Sequence, residues 1–267
     1  MRPVDRTGMM RRLRVGWALG WVLAVMLPQV CRGQAVDIMT KADDEFEKGN
    51  YAAAFDSYKK AAASGNLTAL CKMGAMYQEG QGVDKDLRKA LDSYRQAAER
   101  GAPVAQCMLG IIYFEGQGTL CDYKEAATWY RKAAEQGNDI AMYNLALMYF
   151  EGKGVEQSSG KGFDLLKQAS DKGNPRAQFE LGNYYKEGKL VRKDARTAVE
   201  WYAKAAAQGD VGAQVALGMA YCAGDGVEQN MEKAKRAIKM AFDNPNSDDT
   251  MRRKCEALWT KYKLFDY

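Results

Sequence analysis

Cysteines and paired carboxylates are the residues with the greatest chemical potential in this 267-residue chain, because it contains no histidine. Without an imidazole there is no Ser/His or Cys/His pair for nucleophilic catalysis, and zinc sites that need histidine are excluded. The acid pairs Asp43-Asp44 and Asp248-Asp249 stand near predicted helix starts, where carboxylates stabilise the helix dipole. The cysteines include no Cys-x2-Cys metal pair. The sequence therefore predicts a protein with no catalytic residues, no metal site and no cofactor, and not an enzyme.

A motif that recurs every 36 residues organises most of the chain. Its fullest copy, Leu-Gly-x2-Tyr-x2-Gly-x-Gly, begins at Leu109. The residues equivalent to Gly110 are Gly74, Ala146, Gly182 and Gly218. A fixed period of this length is typical of helical solenoids. In each unit the pattern predicts a first helix such as 102–115, a Gly-x-Gly turn, and a second helix such as 123–136.

The first 35 residues differ from the rest and predict a secretory signal peptide. Five arginines precede residue 15, an apolar run covers 15–27, and Pro28 ends it. Cleavage is expected after Gly33 or Ala35, and the alternative is an uncleaved membrane anchor, for which thirteen apolar residues are short. We therefore expect a periplasmic or secreted protein, with membrane contact only through an uncleaved leader.

The net charge of +5 lies in that leader, which holds six of the 39 Lys and Arg and one of the 34 Asp and Glu. The remaining chain has no net charge and no basic stripe to follow a phosphate backbone, which argues against nucleic acid as a partner. The domain boundaries predicted after the leader are an N-terminal capping helix pair at 36–65, five repeats at 66–245, and a C-terminal capping helix at 246–267.

The two halves of the repeat together resemble the Sel-one-like repeat family, a relative of the tetratricopeptide repeat. The residues that carry the resemblance in the second unit are Ala105, Leu109, Gly110, Tyr113, Gly116, Gly118, Ala126, Tyr130, Ala133, Ala134 and Gly137. The resemblance implies an all-α, right-handed superhelical solenoid of helix hairpins. It also implies an adaptor that holds other proteins together. A cysteine-rich branch of the family is associated with β-lactams, so the alternatives are a β-lactam or cell-wall hydrolase and a structural envelope-assembly scaffold.

Helix geometry predicts the surface that binds the partner. At 100° per residue, one side of each first helix packs in the hairpin and the opposite side lines the concave groove of tetratricopeptide-like stacks. The groove residues predicted in units two to four are Cys107, Ile111, Phe114, Tyr143, Leu147, Phe150, Phe179 and Asn183. Most are apolar, which is typical of a surface that binds a protein or peptide. The alternative is that neighbouring first helices bury them.

The cysteine positions suggest one disulfide. Five cysteines follow the leader, so at least one thiol stays unpaired: Cys71, Cys107, Cys121, Cys222 and Cys255. Cys71 and Cys107 are equivalent residues of adjacent units, and stacked helices are farther apart than a disulfide permits. A Cys222–Cys255 disulfide is expected if the last helix stacks on the fifth repeat.

Overall fold

The computed structural model describes residues 38–266, and these form helices and turns without any β-strand. The predicted leader lies outside the described residues. Backbone contacts separate two compact parts, one that ends at Arg100 and one that begins at Gly101. Both parts are built from consecutive antiparallel helix pairs in which each helix packs on the next, so the described residues form an all-α solenoid.

Residues 38–100 of the first part form four helices. These are α1 (38–47), α2 (Tyr51–Ala63), α3 (Leu67–Glu79) and α4 (Leu87–Glu99). Tyr58 is fully buried in its core, and its hydroxyl donates to Asp43 Oδ1 at 2.5 Å. Arg100 donates from its guanidinium to the Gly65 carbonyl at 3.0 Å, which ties the ends of two successive hairpins together.

The second part contains nine helices. These are α5 (Pro103–Glu115), α6 (Tyr123–Glu135), α7 (Asp139–Glu151), α8 (Ser159–Asp171), α9 (Pro175–Glu187), α10 (Ala195–Ala207), α11 (Val211–Ala223), α12 (Met231–Asp243) and α13 (Asp249–Lys261). A short 3-10 turn, Leu264–Asp266, follows. The helices predicted at 102–115 and 123–136 agree with α5 and α6 to within one residue at each end.

Local sequence signals explain why the helices begin and end where they do. The Asn138 side chain accepts a hydrogen bond from the Ala141 N–H at 2.8 Å and caps α7. At the other end, Gly152 adopts φ 69°, and its N–H bonds to the Met148 carbonyl. A left-handed residue at this point ends the helix at least cost when it is glycine. Asp122 caps α6 in the same way as Asn138 caps α7.

In units one, two and four, a glycine of the first helix lets a tyrosine ring of the second helix pack against the backbone, and in unit five Ile238 packs on Gly218 in the same way. A Cβ added at Gly182 would lie 2.6 Å from the Tyr202 ring, which is closer than real Cβ contacts allow. Unit three reverses this arrangement, since Ala146 replaces the glycine and the second helix carries Gly162. There the ring of Phe150, from the first helix, covers Gly162. The hairpin of unit three thus also places one glycine against one ring, but the helices that contribute the glycine and the ring are exchanged.

In units two, four and five, a side-chain amide at the end of the second helix donates to a buried amide of the first helix of the same unit, in what we call an amide clasp. Gln136 Nε2 donates to Gln106 Oε1 at 2.7 Å. The next such clasp joins Gln208 to Gln178 at 2.9 Å. In the last one, Asn244 Nδ2 donates to the Gly209 carbonyl at 3.0 Å and to Gln214 Oε1 at 3.3 Å. Gln106, Gln178 and Gln214 are buried, so each clasp supplies a hydrogen bond that a buried amide needs.

The last helix covers the groove positions of unit five. Val215 and Cys222 of α11 are each 1% exposed and form one core cluster with Cys255 of α13. The stacking that would bring Cys222 and Cys255 near each other is therefore present. Both residues are free thiols in this structure, and the possible disulfide between them stays a prediction. Burial raises the pKa of both thiols, which lowers the fraction of reactive thiolate.

Candidate functional site

The exposed faces of α5 and α7 form a cleft of about 460 Å³. Its residues are Ile111, Phe114, Glu115, Tyr130, Asp139, Ile140, Tyr143, Asn144, Asn174, Pro175 and Arg176. Ile111, Phe114 and Tyr143 were predicted as groove residues, and all three are partly exposed. Ile140 is 48% exposed, which is unusual for an isoleucine that has apolar neighbours within reach. The cleft therefore presents apolar surface to solvent.

A second cleft of about 300 Å³ continues from the first. The two share Phe114, Tyr130 and Asn144, and the second adds Leu147, another predicted groove residue. At its edge Lys153 lies over the Phe114 ring, with Nζ 5.6 Å from the centroid, and pairs with Glu151 at 2.7 Å. The structure thus brings Ile111, Phe114, Tyr143 and Leu147 together along one continuous surface.

Three other predicted groove residues pack mainly on the protein itself. Phe150 stacks on Tyr184 with ring centroids 5.8 Å apart. The Phe179 ring lies 5.8 Å from that of Tyr202. Asn183 Oδ1 accepts a hydrogen bond from the Tyr202 hydroxyl at 2.8 Å. All three predicted residues, Phe150, Phe179 and Asn183, are partly exposed, but none of them lines either cleft.

Cys107 does not belong to the exposed surface. It is 4% exposed and packs in the core cluster that includes Met142. Burial raises the pKa of its thiol to about 12, with a smaller contribution from Asp139. Cys107 therefore offers almost no surface to a partner in this structure, and its role as a partner-binding residue stays a prediction. The helix geometry placed it on the correct side of α5, but the neighbouring first helix, α7, contacts that side.

Charged groups surround the apolar surface. Glu115, Asp139 and Arg176 line the first cleft. Glu180 and Asp210 lie close enough to raise the pKa of the Tyr143 hydroxyl, which is raised mainly by burial, whereas Arg176 lowers it. These charged groups stand on α5, α7 and α9 and at the start of α11, all within the second part of the chain.

Glu180 and Asp210 are both removed from bulk water to a substantial extent. Burial raises the pKa of Glu180, although Asn183 opposes the shift by a hydrogen bond. Burial also raises the pKa of Asp210, while the N–H of Ala213, which this residue caps, lowers it. Neither carboxylate forms a salt bridge with any residue between 38 and 266. Carboxylates held in this way favour a cationic ligand, because a positive charge nearby stabilises the ionised form.

Ile140, Arg176 and Glu180 belong to this surface but are not among the eight groove residues predicted from the sequence. Ile140 and Arg176 occupy the same repeat position, together with Val104, which is 56% exposed. Glu180 replaces Met108 and Asn144 at its own repeat position. These residues are identified by comparing equivalent positions of successive units and finding where the residue type changes. A helix projection of one unit does not include that comparison.

The part of the chain that the structure describes holds no cluster of three or more metal-ligating side chains. None of its helices is long and apolar enough to cross a membrane. The arrangement can offer a partner apolar contact area, a few partly buried carboxylates and one arginine. The class that this fold and surface define is an α-solenoid of repeated helix hairpins with an exposed apolar face.

Five repeats match the model of the Sel1 repeat, at residues 67–101, 103–138, 139–174, 175–210 and 211–236. The chain belongs to the Sel1 repeat family. It is 30% identical to a Sel1 repeat protein from Oxalobacter formigenes, with a TM-score of 0.73, and the match covers 84% of this chain and 99% of that one.

A second solved structure is c5321, a protective antigen of uropathogenic Escherichia coli with the same fold. It is 30% identical with a TM-score of 0.69, and the match covers 84% of this chain but only 49% of that one. The immunity protein Pa5087 from Pseudomonas aeruginosa, 23% identical with a TM-score of 0.50 over 84% of this chain and 83% of that one, shares the fold alone. A search of the curated proteins gives no match. Sel1 repeats generally form protein-interaction scaffolds and are typically non-catalytic.

Proposed function

We propose that this protein is an adaptor that binds a partner protein or peptide through the clefts of α5 and α7. The observation that carries the proposal is the continuous apolar surface formed by Ile111, Phe114, Ile140, Tyr143 and Leu147. An exposed apolar patch of this kind, bordered by charged groups, usually marks an interaction site. The clefts are open to solvent and lined largely by apolar side chains, which suits the side chains of a polypeptide ligand.

We also propose that the adaptor acts outside the cytoplasm, in the periplasm or after secretion. The support is the basic start, the apolar run at 15–27 and the small residues Gly33 and Ala35. Mass spectrometry of the protein purified from its native envelope or medium tests this proposal. The expected N-terminus follows Gly33 or Ala35, and an intact Met1 in protein from the cytoplasm contradicts export.

Site-directed photo-crosslinking tests the binding surface. A photoreactive amino acid replaces Ile140 in one variant and Met240 of α12 in a control. The two residues are matched, since they are 48% and 52% exposed, but Met240 lines neither cleft. We expect a specific cross-linked partner from position 140 alone. Equal cross-linking from both positions, or from position 240 alone, contradicts the proposed surface.

Affinity for the purified cross-linked partner provides the second measurement. Ile140→Asp places a charge in the apolar cleft and should weaken binding at least tenfold, because desolvating an unpaired carboxylate is unfavourable. Met240→Asp introduces the same charge elsewhere and should leave affinity unchanged. Thermal unfolding of both variants confirms that they are folded. Ile140 is a better test residue than Phe150, whose ring also packs on Gly162 and Tyr184.

A further inference from the structure

The charges beside the apolar clefts are unbalanced. Four carboxylates, those of Glu115, Asp139, Glu180 and Asp210, lie at or next to the first cleft, and Arg176 is the cation that accompanies them. Arg176 acts on Asp210, whose carboxylate it stabilises. The surface that a partner meets is therefore apolar in its centre and carries an excess of negative charge at one side.

Two of these carboxylates would be stabilised in their ionised form by a further positive charge. Glu180 and Asp210 are partly buried and lack any salt bridge among the described residues. Each accepts a hydrogen bond from a neutral donor, Glu180 from Asn183 and Asp210 from the Ala213 N–H, as Asp139 does from Asn174 at 2.9 Å. An ionised carboxylate that has lost part of its hydration is unfavourable until a positive group or several donors approach it. A cation supplied by the ligand would meet that requirement.

The apolar and the acidic groups stand on neighbouring first helices, so one short ligand can contact both. Ile140 and Tyr143 stand on α7, while Glu180 belongs to α9, the next first helix of the stack. Neighbouring helices of a stack lie about 8–10 Å apart. A ligand that lies across both therefore meets the apolar and the acidic groups within about two turns of helix, since one turn advances about 5.4 Å.

We infer that the ligand of this surface is a basic amphipathic segment of a partner protein, with apolar side chains in the α5–α7 clefts and a lysine or arginine between Glu180 and Asp210. This inference rests on the proposed function and adds the chemistry of the ligand. An acidic ligand would meet one arginine and four carboxylates, and like charges in an interface are strongly unfavourable. Charge complementarity thus selects the basic ligand.

Fluorescence anisotropy with three synthetic peptides tests the inference. The first is a 14-residue helical peptide with leucines on one face and lysines on the other. The second replaces each lysine by glutamate, and the third replaces each leucine by serine. We expect the Leu/Lys peptide to bind at least tenfold more tightly than either of the others, because it alone satisfies both parts of the surface. Equal or tighter binding of the Leu/Glu peptide overturns the inference.

Charge-neutral variants locate the effect. Glu180→Gln/Asp210→Asn removes both charges, and asparagine remains a good helix cap at the start of α11. Glu200→Gln/Asp243→Asn removes two exposed charges from second helices as a control. The first variant should weaken Leu/Lys binding at least tenfold and reduce its salt dependence, and the control should change it less than twofold. Equal effects of the two variants would show that only net charge matters and would overturn the inference.

Failure of the inference and failure of the proposed function are distinguishable. If Ile140→Asp abolishes capture of the cross-linked partner but Glu180→Gln/Asp210→Asn has no effect on either ligand, the groove function stands and the basic ligand is wrong. If Leu/Lys binding is unaffected by Ile140→Asp, the clefts are not the binding site and both proposals fall.

Discussion

Substitution of Gly162 by alanine is the sharpest test of how unit three packs. A Cβ at this position would lie 2.7 Å from Cε1, 2.8 Å from Cδ1 and 3.0 Å from Cζ of Phe150. The ring has to move, although it is stacked on Tyr184. Gly160, in the first turn of the same helix, has no atom within 4 Å of its added Cβ. The two glycines thus separate backbone propensity from packing.

The expected free-energy changes have opposite signs. Replacing a helical glycine by alanine stabilises a helix by up to about 1 kcal/mol, and Gly160→Ala should show that gain. Inserting a methyl group into a packed site costs about 1–3 kcal/mol. Gly162→Ala should therefore leave a net destabilisation of about 0–2 kcal/mol, and the two variants should differ by about 1–3 kcal/mol.

Thermal and urea unfolding of the two variants measure this difference. For a chain of this size, 1 kcal/mol corresponds to about 2–4 °C in Tm. Hydrogen exchange in 159–171 shows whether the effect is confined to α8. A Phe150→Leu/Gly162→Ala double variant should recover stability relative to the sum of the single changes, because the two residues are in contact. If Gly162→Ala stabilises the protein as much as Gly160→Ala does, the described packing of Phe150 is refuted.

Three further outcomes are expected. Leu190 adopts φ 57° at a position where other units carry glycine. Leu190→Gly should therefore raise the free energy of unfolding by about 1 kcal/mol and raise Tm. An unchanged or lower Tm contradicts this prediction. Burial raises the pKa of Glu180 above its usual 4.5, so the native state holds that proton more tightly and loses stability as pH rises through the raised pKa. Glu180→Gln should therefore gain in Tm relative to wild type from about pH 4.5 upward, and a constant difference between pH 4 and 7 argues against it. Cys121 is exposed, whereas Cys107 and Cys255 are buried. Peptide mapping after brief iodoacetamide treatment should therefore find Cys121 alkylated first among these three. Comparable early alkylation of the two buried cysteines would contradict the structure.

The sequence predicted the helix hairpins well, because their signals are local and repeated. Caps such as Asn138, the left-handed glycine at 152 and the period of 36 residues each specify the same boundary. Agreement of independent local signals is what allows a pattern to identify a fold. The boundaries predicted for the first and second helices needed almost no correction.

The candidate site was predicted only in part, for physical reasons. A helix projection determines which side of α5 a residue occupies, and Ile111 and Cys107 share that side. It does not determine how closely α7 approaches, and that approach buries Cys107 while it leaves Ile111 partly exposed. The reversed glycine of unit three likewise redirects Phe150 onto α8. These outcomes depend on contacts between elements, which the periodicity of one element does not encode.

The amide clasps make the repeat a unit that can be removed or duplicated whole. Both members of the Gln178–Gln208 clasp lie within 174–209, a span of one 36-residue period. Deleting that span takes a complete donor–acceptor pair away and leaves Gln106–Gln136 and Gln214–Asn244 intact. Gly173 would then occupy the place of Gly209, whose carbonyl accepts from Asn244. Removal of this particular repeat therefore orphans neither member of a clasp, so unequal recombination at this copy can shorten the interaction surface while the remaining clasps stay complete.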